Sequence, residues 1–222
     1  MDLSDNLNRS ASFVGKLFSD VGNLIILIVL GIIPIVNLTV AGYFAKIVRE
    51  NPEEPPKLSD YGKLFIDGLL VVIAAIIYMI VPIIILGVGL AFSLGGYAFY
   101  SPTPMSLLSL LSSGLMIVAR LMIVALILAF IFAIFGVMAI GNMIRTGNFS
   151  KIFAFSENWQ LIQRVGLGNY ILWLVIMFVI GLIAAVIGSA IHWIVVAILL
   201  VLLLVFFGKS LALMLNEAIG PS

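Results

Sequence analysis

From Leu121 to Met143 the chain carries no charged residue, and Ile194–Phe207 is an almost unbroken succession of Leu, Ile and Val. Apolar runs of this kind approach or exceed the ~20 residues that cross a bilayer core. In hydrocarbon every backbone polar group must be satisfied internally, so a spanning segment is a helix or part of a closed barrel. Barrel strands alternate apolar and polar residues. These runs do not alternate, so the fold is expected to be an all-α integral membrane protein. Charged residues make up 9% and hydrophobic residues 64% of the chain, against about 25% charged in an ordinary soluble domain. One polytopic domain with lipid as its main solvent follows, covering residues 1–222.

The formal net charge of +1 gives no electrostatic case for a nucleic-acid partner. With zero cysteines there is no disulfide framework, thiolate metal site or cysteine nucleophile. Asp2, Asp5 and Asp20 occupy the first twenty positions without a basic region and a small-residue cleavage site, so no removable signal peptide is expected.

In chain order, residues 1–20 read as an interfacial helix, apolar through Leu3, Leu7, Phe13, Leu17 and Phe18 and wet through Asp2, Asp5, Arg9, Lys16 and Asp20. Residues 22–47 hold an apolar run interrupted at Pro34-Ile-Val-Asn37, which is either a kink in one span or the tip of a broken hairpin. Residues 48–68 are a cytoplasmic connector, rich in proline from Asn51 to Lys57, followed by an amphipathic helix over Leu58–Asp67. Residues 69–143 read as a second hairpin with Pro82 inside its first arm. Gly95–Pro104 is its loop, with belt aromatics Tyr97, Phe99 and Tyr100. One helix over all of 105–143 would overrun a bilayer, so Met105–Ser113 is placed along the outer interface or folded into the bundle. Residues 144–169 are a polar amphipathic insert in which Ser156 is expected to cap a short helix ending near Gly166. Residues 170–215 form a third hairpin closed at Gly188–His192.

A short pattern recurs before the apolar blocks. It reads Gly15-Lys16-Leu17-Phe18-Ser-Asp20, then Gly62-Lys63-Leu64-Phe65-Ile-Asp67, then Ser150-Lys151-Ile152-Phe153. Equivalent copies make each unit a surface helix feeding a hairpin, all entering from one side. Arg9, Lys16, Lys46, Arg49, Lys57, Lys63, Arg145, Lys151, Arg164 and Lys209 then share the cytoplasmic side, with Arg120 outside. This favours the hairpin over the kinked span and puts both termini in the cytoplasm of a multi-pass cell-membrane protein. The arms of the first hairpin, about ten residues each, would penetrate only partway.

The candidate binding residues are Pro34 and Asn37 at the helix break, where freed backbone can take an ion, and Arg120 as an outer-vestibule charge for anions. The break also reads as Asn37 satisfying carbonyls that the proline releases, and Arg120 as snorkelling to outer phosphates, and at both positions this plainer reading is the preferred one. Lys16, Lys63, Lys151 and Lys209 are expected at lipid headgroups. Lys16–Asp20 and Lys63–Asp67 are also spaced as i,i+4 ion pairs. Gly181, Ala184, Ala185 and Gly188 form a small-residue stripe suited to close helix packing. His192 beside Trp193 reads as an interface anchor. No carboxylate falls within a span, and no Walker loop, metalloprotease helix motif or Ser–His couple is present. The chain is therefore expected to be no enzyme and to need no cofactor.

Gly31-Ile-Ile-Pro34-Ile-Val-Asn37, Gly42-Tyr43, Arg49, and the block Pro55-Pro-Lys-Leu-Ser-Asp-Tyr-Gly-Lys-Leu-Phe-Ile-Asp67-Gly68 with Tyr78 and Pro82 resemble a family of archaeal membrane proteins. That family is known as domain of unknown function number four thousand and thirteen. The resemblance implies a multi-span archaeal protein and brings no activity or catalytic residue. Ile33-Pro-Ile-Val-Asn37 also looks like the partly penetrating hairpins of CysZ-type sulfate permeases. Two functions compete: passive or facilitated passage of an ion or small solute through a homo-oligomer, and a scaffold or accessory subunit of a larger membrane complex. The expected partners are the bilayer, a second copy and another membrane protein, with no nucleic acid.

Overall fold

The computed structural model describes residues 2–100 and 107–219. Among them are eight α-helices: α1 Leu3–Leu17, α2 Val21–Ile32, α3 Leu38–Glu50, α4 Tyr61–Tyr100, α5 Leu107–Thr146, α6 Phe155–Val165, α7 Leu167–Ile191 and α8 Trp193–Ile219, with a 3-10 turn at Phe149–Phe153. Within this set Tyr61–Ala91, Gly114–Thr146, α7 and α8 are long and apolar enough to cross a membrane. The protein is an all-α membrane bundle.

Two compact units divide the chain: 1–74 with 137–222, and 75–136. In the larger unit α8 is the central helix. The α1, α2, α3, α6 and α7 helices all pack on it. Phe13 and Leu17 from α1, Leu24 and Leu27 from α2, Val40, Tyr43 and Ile47 from α3, and Val201 and Val205 from α8 make one buried cluster. A stack of rings continues it, Tyr170 on Trp173, Trp173 on Phe207 and Phe207 on Phe44, with centroids 5.3–6.0 Å apart. Only His192 separates α7 from α8, and Gly188 lets Val196 approach to 3.0 Å of where its Cβ would be. In the smaller unit α4 and α5 run antiparallel. Gly136 lies under the ring of Tyr78 and Gly89 under Leu121.

The α1 helix is amphipathic, but its buried face differs from the expected one. Asn6, Ser10, Phe13 and Leu17 face the bundle, while Phe18 is exposed. Asn6 and Ser10 are tolerated there because they are hydrogen-bonded. Asn6 Nδ2 donates to the Ser210 carbonyl at 3.0 Å, Ser210 Oγ donates to Asn6 Oδ1, and Trp173 Nε1 donates to Ser210 Oγ at 2.8 Å. The N-terminal helix is thereby fastened to the C-terminal half of α8. At Leu17 the chain turns by 98° into α2, whose first turn Asp20 caps through the Asn23 N–H.

Three expectations about helix extent are corrected. Leu58–Asp67 is not an element apart from the first arm of the second hairpin: α4 starts at Tyr61 and runs through Pro82 without ending. Gly95–Tyr100 is helix rather than loop, and the rest of that loop, 101–106, lies outside the described residues. Leu107–Ser113 continues straight into α5 instead of lying apart. No proline interrupts this stretch, so a helical backbone continues once started. Ser156 does not cap α6. That helix starts one residue earlier, at Phe155, with no side-chain cap, and stops at Gly166, whose φ of +90° suits glycine.

Candidate functional site

The interrupted run resolves into two short helices that fold back on each other. Asn23 near the start of α2 meets Tyr43 in α3, and Gly31 near the end of α2 meets Val40 near the start of α3. The pairing is antiparallel, so Pro34–Asn37 is a hairpin tip. With 12 and 13 residues, the arms measure about 18 and 20 Å at 1.5 Å per residue. A bilayer core is ~30 Å thick, so neither arm is long enough to span it.

The base of the hairpin is tied to the proline-rich connector. Tyr43 Oη donates to the Pro56 carbonyl at 2.7 Å, and Asn23 Nδ2 donates to the same oxygen at 3.2 Å. Asn23 Oδ1 in turn accepts from the Leu58 N–H at 3.2 Å. One asparagine and one tyrosine thus supply partners for a segment whose prolines cannot form a helix. Behind the hairpin, α3 crosses the start of α4 at backbone contact. A Cβ on Gly42 would fall 1.7 Å from the Leu64 carbonyl oxygen, and one on Gly68 would fall 1.8 Å from that of Leu38. Arg49 locks the same crossing by pairing with Asp67 at 2.8 Å and donating to the Ile144 carbonyl at 3.2 Å.

At the tip the turn satisfies itself. The carbonyls of Ile33, Pro34, Ile35, Val36 and Asn37 each accept a backbone N–H from within the turn or the first turn of α3. The side chains of Pro34, Ile35 and Asn37 are exposed. Ile35 has φ of +70°, a left-handed conformation that a β-branched residue rarely adopts, and its side chain is 71% exposed. Asn37 makes no side-chain capping bond to α3. Its amide is presented outward, with no charged residue between Ile33 and Asn37. Pro34 and Asn37 are therefore brought together at the tip. Arg120 is exposed on α5 and belongs to the other compact unit.

Three of the four lysines expected at headgroups have partners within the protein. Lys209 is 2% exposed. Its Nζ donates to Asn51 Oδ1 at 2.9 Å and to the Pro52 carbonyl at 2.6 Å, and lies 5.3 Å from the centre of the Phe13 ring. It cannot reach headgroups because the connector folds over it and supplies the oxygens that lipid would. Asn51 is placed for this by a left-handed cap at the end of α3, φ +43°. Lys16 donates to the Glu53 carbonyl at 2.9 Å, and Lys151 pairs with Glu157 at 2.6 Å. Lys63 is exposed on the first turn of α4. Neither expected i,i+4 pair forms: Asp20 caps α2 and Asp67 is held by Arg49.

Glu157 also accepts from Asn142 Nδ2 at 3.1 Å, and these two bonds, that from Lys151 the larger, hold its carboxyl below the usual carboxylate range. The small-residue stripe is used at one end only. Gly188 is buried against Val196, while a Cβ on Gly181 would meet open space and Ala185 is exposed. Ala184 instead lines an apolar groove of about 470 Å³ with Ala11, Val14, Ile183, Leu202 and Phe206. The sequence reading missed Asn23, Tyr43, Gly68 and Lys209 as structural joints; the Gly42-Tyr43 and Asp67-Gly68 pairs were the available signal.

Residues 25–193 match the model of a family described as "Protein of unknown function (DUF4013)", and the chain belongs to that family. No curated protein and no solved structure matches it.

Proposed function

With membership of that uncharacterised family as the premise, we propose that this multi-pass membrane protein passes an ion or small solute down its gradient, as a homo-oligomer whose hairpin tips line the route. One observation carries the reading: the α2–α3 hairpin is too short to span and ends in an outward Asn37 amide. A polar tip at that depth is costly in bare lipid and is tolerated against protein or a water-filled cavity. A second copy provides the first and a route provides the second. The tip carries no charge, so any selectivity would come from width and from the Asn37 dipole. This reading assigns no catalytic chemistry and no cofactor, and places both termini in the cytoplasm.

Reconstitution into proteoliposomes tests it. Flux of a panel of anions, cations and small neutral solutes is expected to exceed that of empty vesicles for at least one class, and Asn37→Leu is expected to reduce it. Flux equal to that of empty vesicles across the whole panel would overturn the proposal.

The second reading is a non-transporting scaffold or accessory subunit. The occupied lysines favour it, because Lys16, Lys151 and Lys209 are tied to oxygens of the chain itself. It requires a membrane partner that co-purifies in fixed proportion. A chain that purifies from native membranes with no such partner would remove it.

A further inference from the structure

The recurring Lys-(Leu/Ile)-Phe pattern has one structural property in common across its copies, although the three sit in different elements. The middle residue is buried each time: Leu17 and Ile152 are 0% exposed and Leu64 3%. The first copy closes α1, the second opens α4 and the third lies in the 3-10 turn before α6. A buried middle residue forces its neighbours outward. Phe18 and Phe153 are accordingly 54% and 53% exposed, and Phe155 beyond Ala154 is 58% exposed. In the second copy the outward apolar group shifts by one residue, to Ile66. In the first and third copies the lysine is answered within the protein, by the Glu53 carbonyl and by Glu157. Beside the half-exposed Lys16, what those tripeptides present to the outside is the ring.

From this geometry we infer that Phe18 and Phe153, with Phe155, are anchors inserted into the bilayer interface, and that they fix the depth at which the bundle sits. Lipid is the occupant because Phe18 is continuous with a surface that hydrocarbon must cover, and Phe153 and Phe155 stand one short helix before another. Phe18 lies at the 98° turn from α1 into α2, and the outer stripe of α2 follows at once through Val21, Ile25 and Val29, all about half exposed. Phe153 and Phe155 stand at the start of α6, which leads into α7 with Leu167 and Leu172 exposed. An interfacial helix carries Trp, Phe or Leu on its apolar face and buries that face ~5–10 Å into the headgroup boundary. With Phe18 at the interface, α2 enters hydrocarbon directly and its tip lies about 18 Å further in. The inference does not depend on whether the protein carries a solute.

The absence of cysteine in the chain makes the test direct. Phe18→Cys, Phe153→Cys and Phe155→Cys, each in the full-length protein, receive a nitroxide label, and the protein is reconstituted into phosphatidylcholine vesicles. Power-saturation EPR compares collisions with dissolved oxygen, which concentrates in lipid, against a water-soluble nickel chelate. Glu54→Cys on the exposed connector is the aqueous control. Oxygen accessibility several-fold above nickel at 18 and 153, reversed at 54, is the expected result. Nickel dominance at 18 and 153 would show rings in water. Low accessibility to both reagents would show rings covered by protein, in a second copy or another partner. Either outcome overturns the inference. Because these rings lie on the surface, labelling them leaves the core intact, and Phe155 repeats the measurement should one variant fail to reconstitute.

Discussion

Replacing Gly42 by alanine is the most informative single change in the larger unit. The added methyl would fall 1.7 Å from the Leu64 carbonyl oxygen, 2.4 Å from its carbonyl carbon and 2.8 Å from its Cα. Ordinary contact begins near 3.4 Å, so α3 and α4 must separate by up to about 1.7 Å. The obstacle is helix backbone, with no rotamer by which to move aside. The strain is shared by everything that crossing holds: the Arg49–Asp67 pair at 2.8 Å, and the Gly68 contact four residues along α4. Overpacking in a tight core costs about 1–3 kcal/mol, occasionally more, and a backbone obstacle places this case at or above the top of that range.

Gly181→Ala is the matched control. A Cβ there meets nothing within 4 Å, and removing a mid-helix glycine stabilises by about 0.5–1 kcal/mol. Thermal unfolding in detergent micelles, followed by far-ultraviolet circular dichroism, should therefore separate the two variants by several kcal/mol in opposite directions from the parent. Gly68→Ala should behave like Gly42→Ala, and the double variant should cost less than the two costs added, because one separation relieves both clashes. A Gly42→Ala protein within about 0.5 kcal/mol of the parent, less than any overpacking cost in that range, would mean that the two backbones do not touch.

The remaining expectations concern single side chains. Lys209→Met should expose the connector and destabilise by about 1–3 kcal/mol, the cost of stripping a charged donor from two partly buried acceptors; unchanged proteolysis at 51–57 would refute it. Ile35→Gly should relieve the left-handed strain and leave stability equal or raised by up to about 1 kcal/mol, so a clear loss on thermal unfolding would contradict the tip geometry. The lowered folded-state pKa of Glu157 implies stability that is present above the ordinary value of 4.5 and lost as pH falls through the lowered one. Glu157→Gln should accordingly flatten the melting temperature in that acid window, and a profile as steep as the parent's would exclude the role. A double-mutant cycle between Arg49→Ala and Asp67→Asn should show coupling of about 1–2 kcal/mol, since the pair is only partly exposed. Additive effects would deny the bond.

Much of the fold was legible because membrane helices are written in single-residue chemistry. The spans, the tight turn at His192 and the α2–α3 break follow from apolar runs, a proline and the charge placement. Helix extent was not legible. The ends of α4 and α5 were set by assuming that a helix stops where the bilayer does, whereas the first turns of α4 carry Lys63 and Asp67 in the polar layer and need no hydrocarbon. Lys209 was misread for a different reason. Its partners Asn51 and Pro52 lie more than 150 positions earlier in the chain, so it looked like a lysine with only lipid to reach. Asn6 on the buried face of α1 is the same case, since Ser210 is 204 residues away. Arg120 and the Pro34–Asn37 tip were grouped by a functional idea alone, and no local signal tied them together.

Six of the residues that carried the family resemblance prove to be joints. Gly42 and Gly68 make the backbone crossing, Tyr43 holds the connector, Arg49 and Asp67 close the crossing, and Tyr78 lies over Gly136. The basic residues that gave the charge asymmetry serve a related purpose. Arg49 donates to the Ile144 carbonyl at the end of α5, Arg145 to Val48 near the end of α3, and Arg164 to Ala218 at the end of α8. Helix C-termini leave their last carbonyls unsatisfied and carry partial negative charge, so cations gather there. Three helices ending in one layer thus demand several cations in that layer, whatever the membrane does. Three of the basic residues counted toward that asymmetry, Arg49, Arg145 and Arg164, are thus staples of helix ends. The charge pattern is evidence about how the helices are closed first, and about orientation only through the insertion machinery's preference for the same charges.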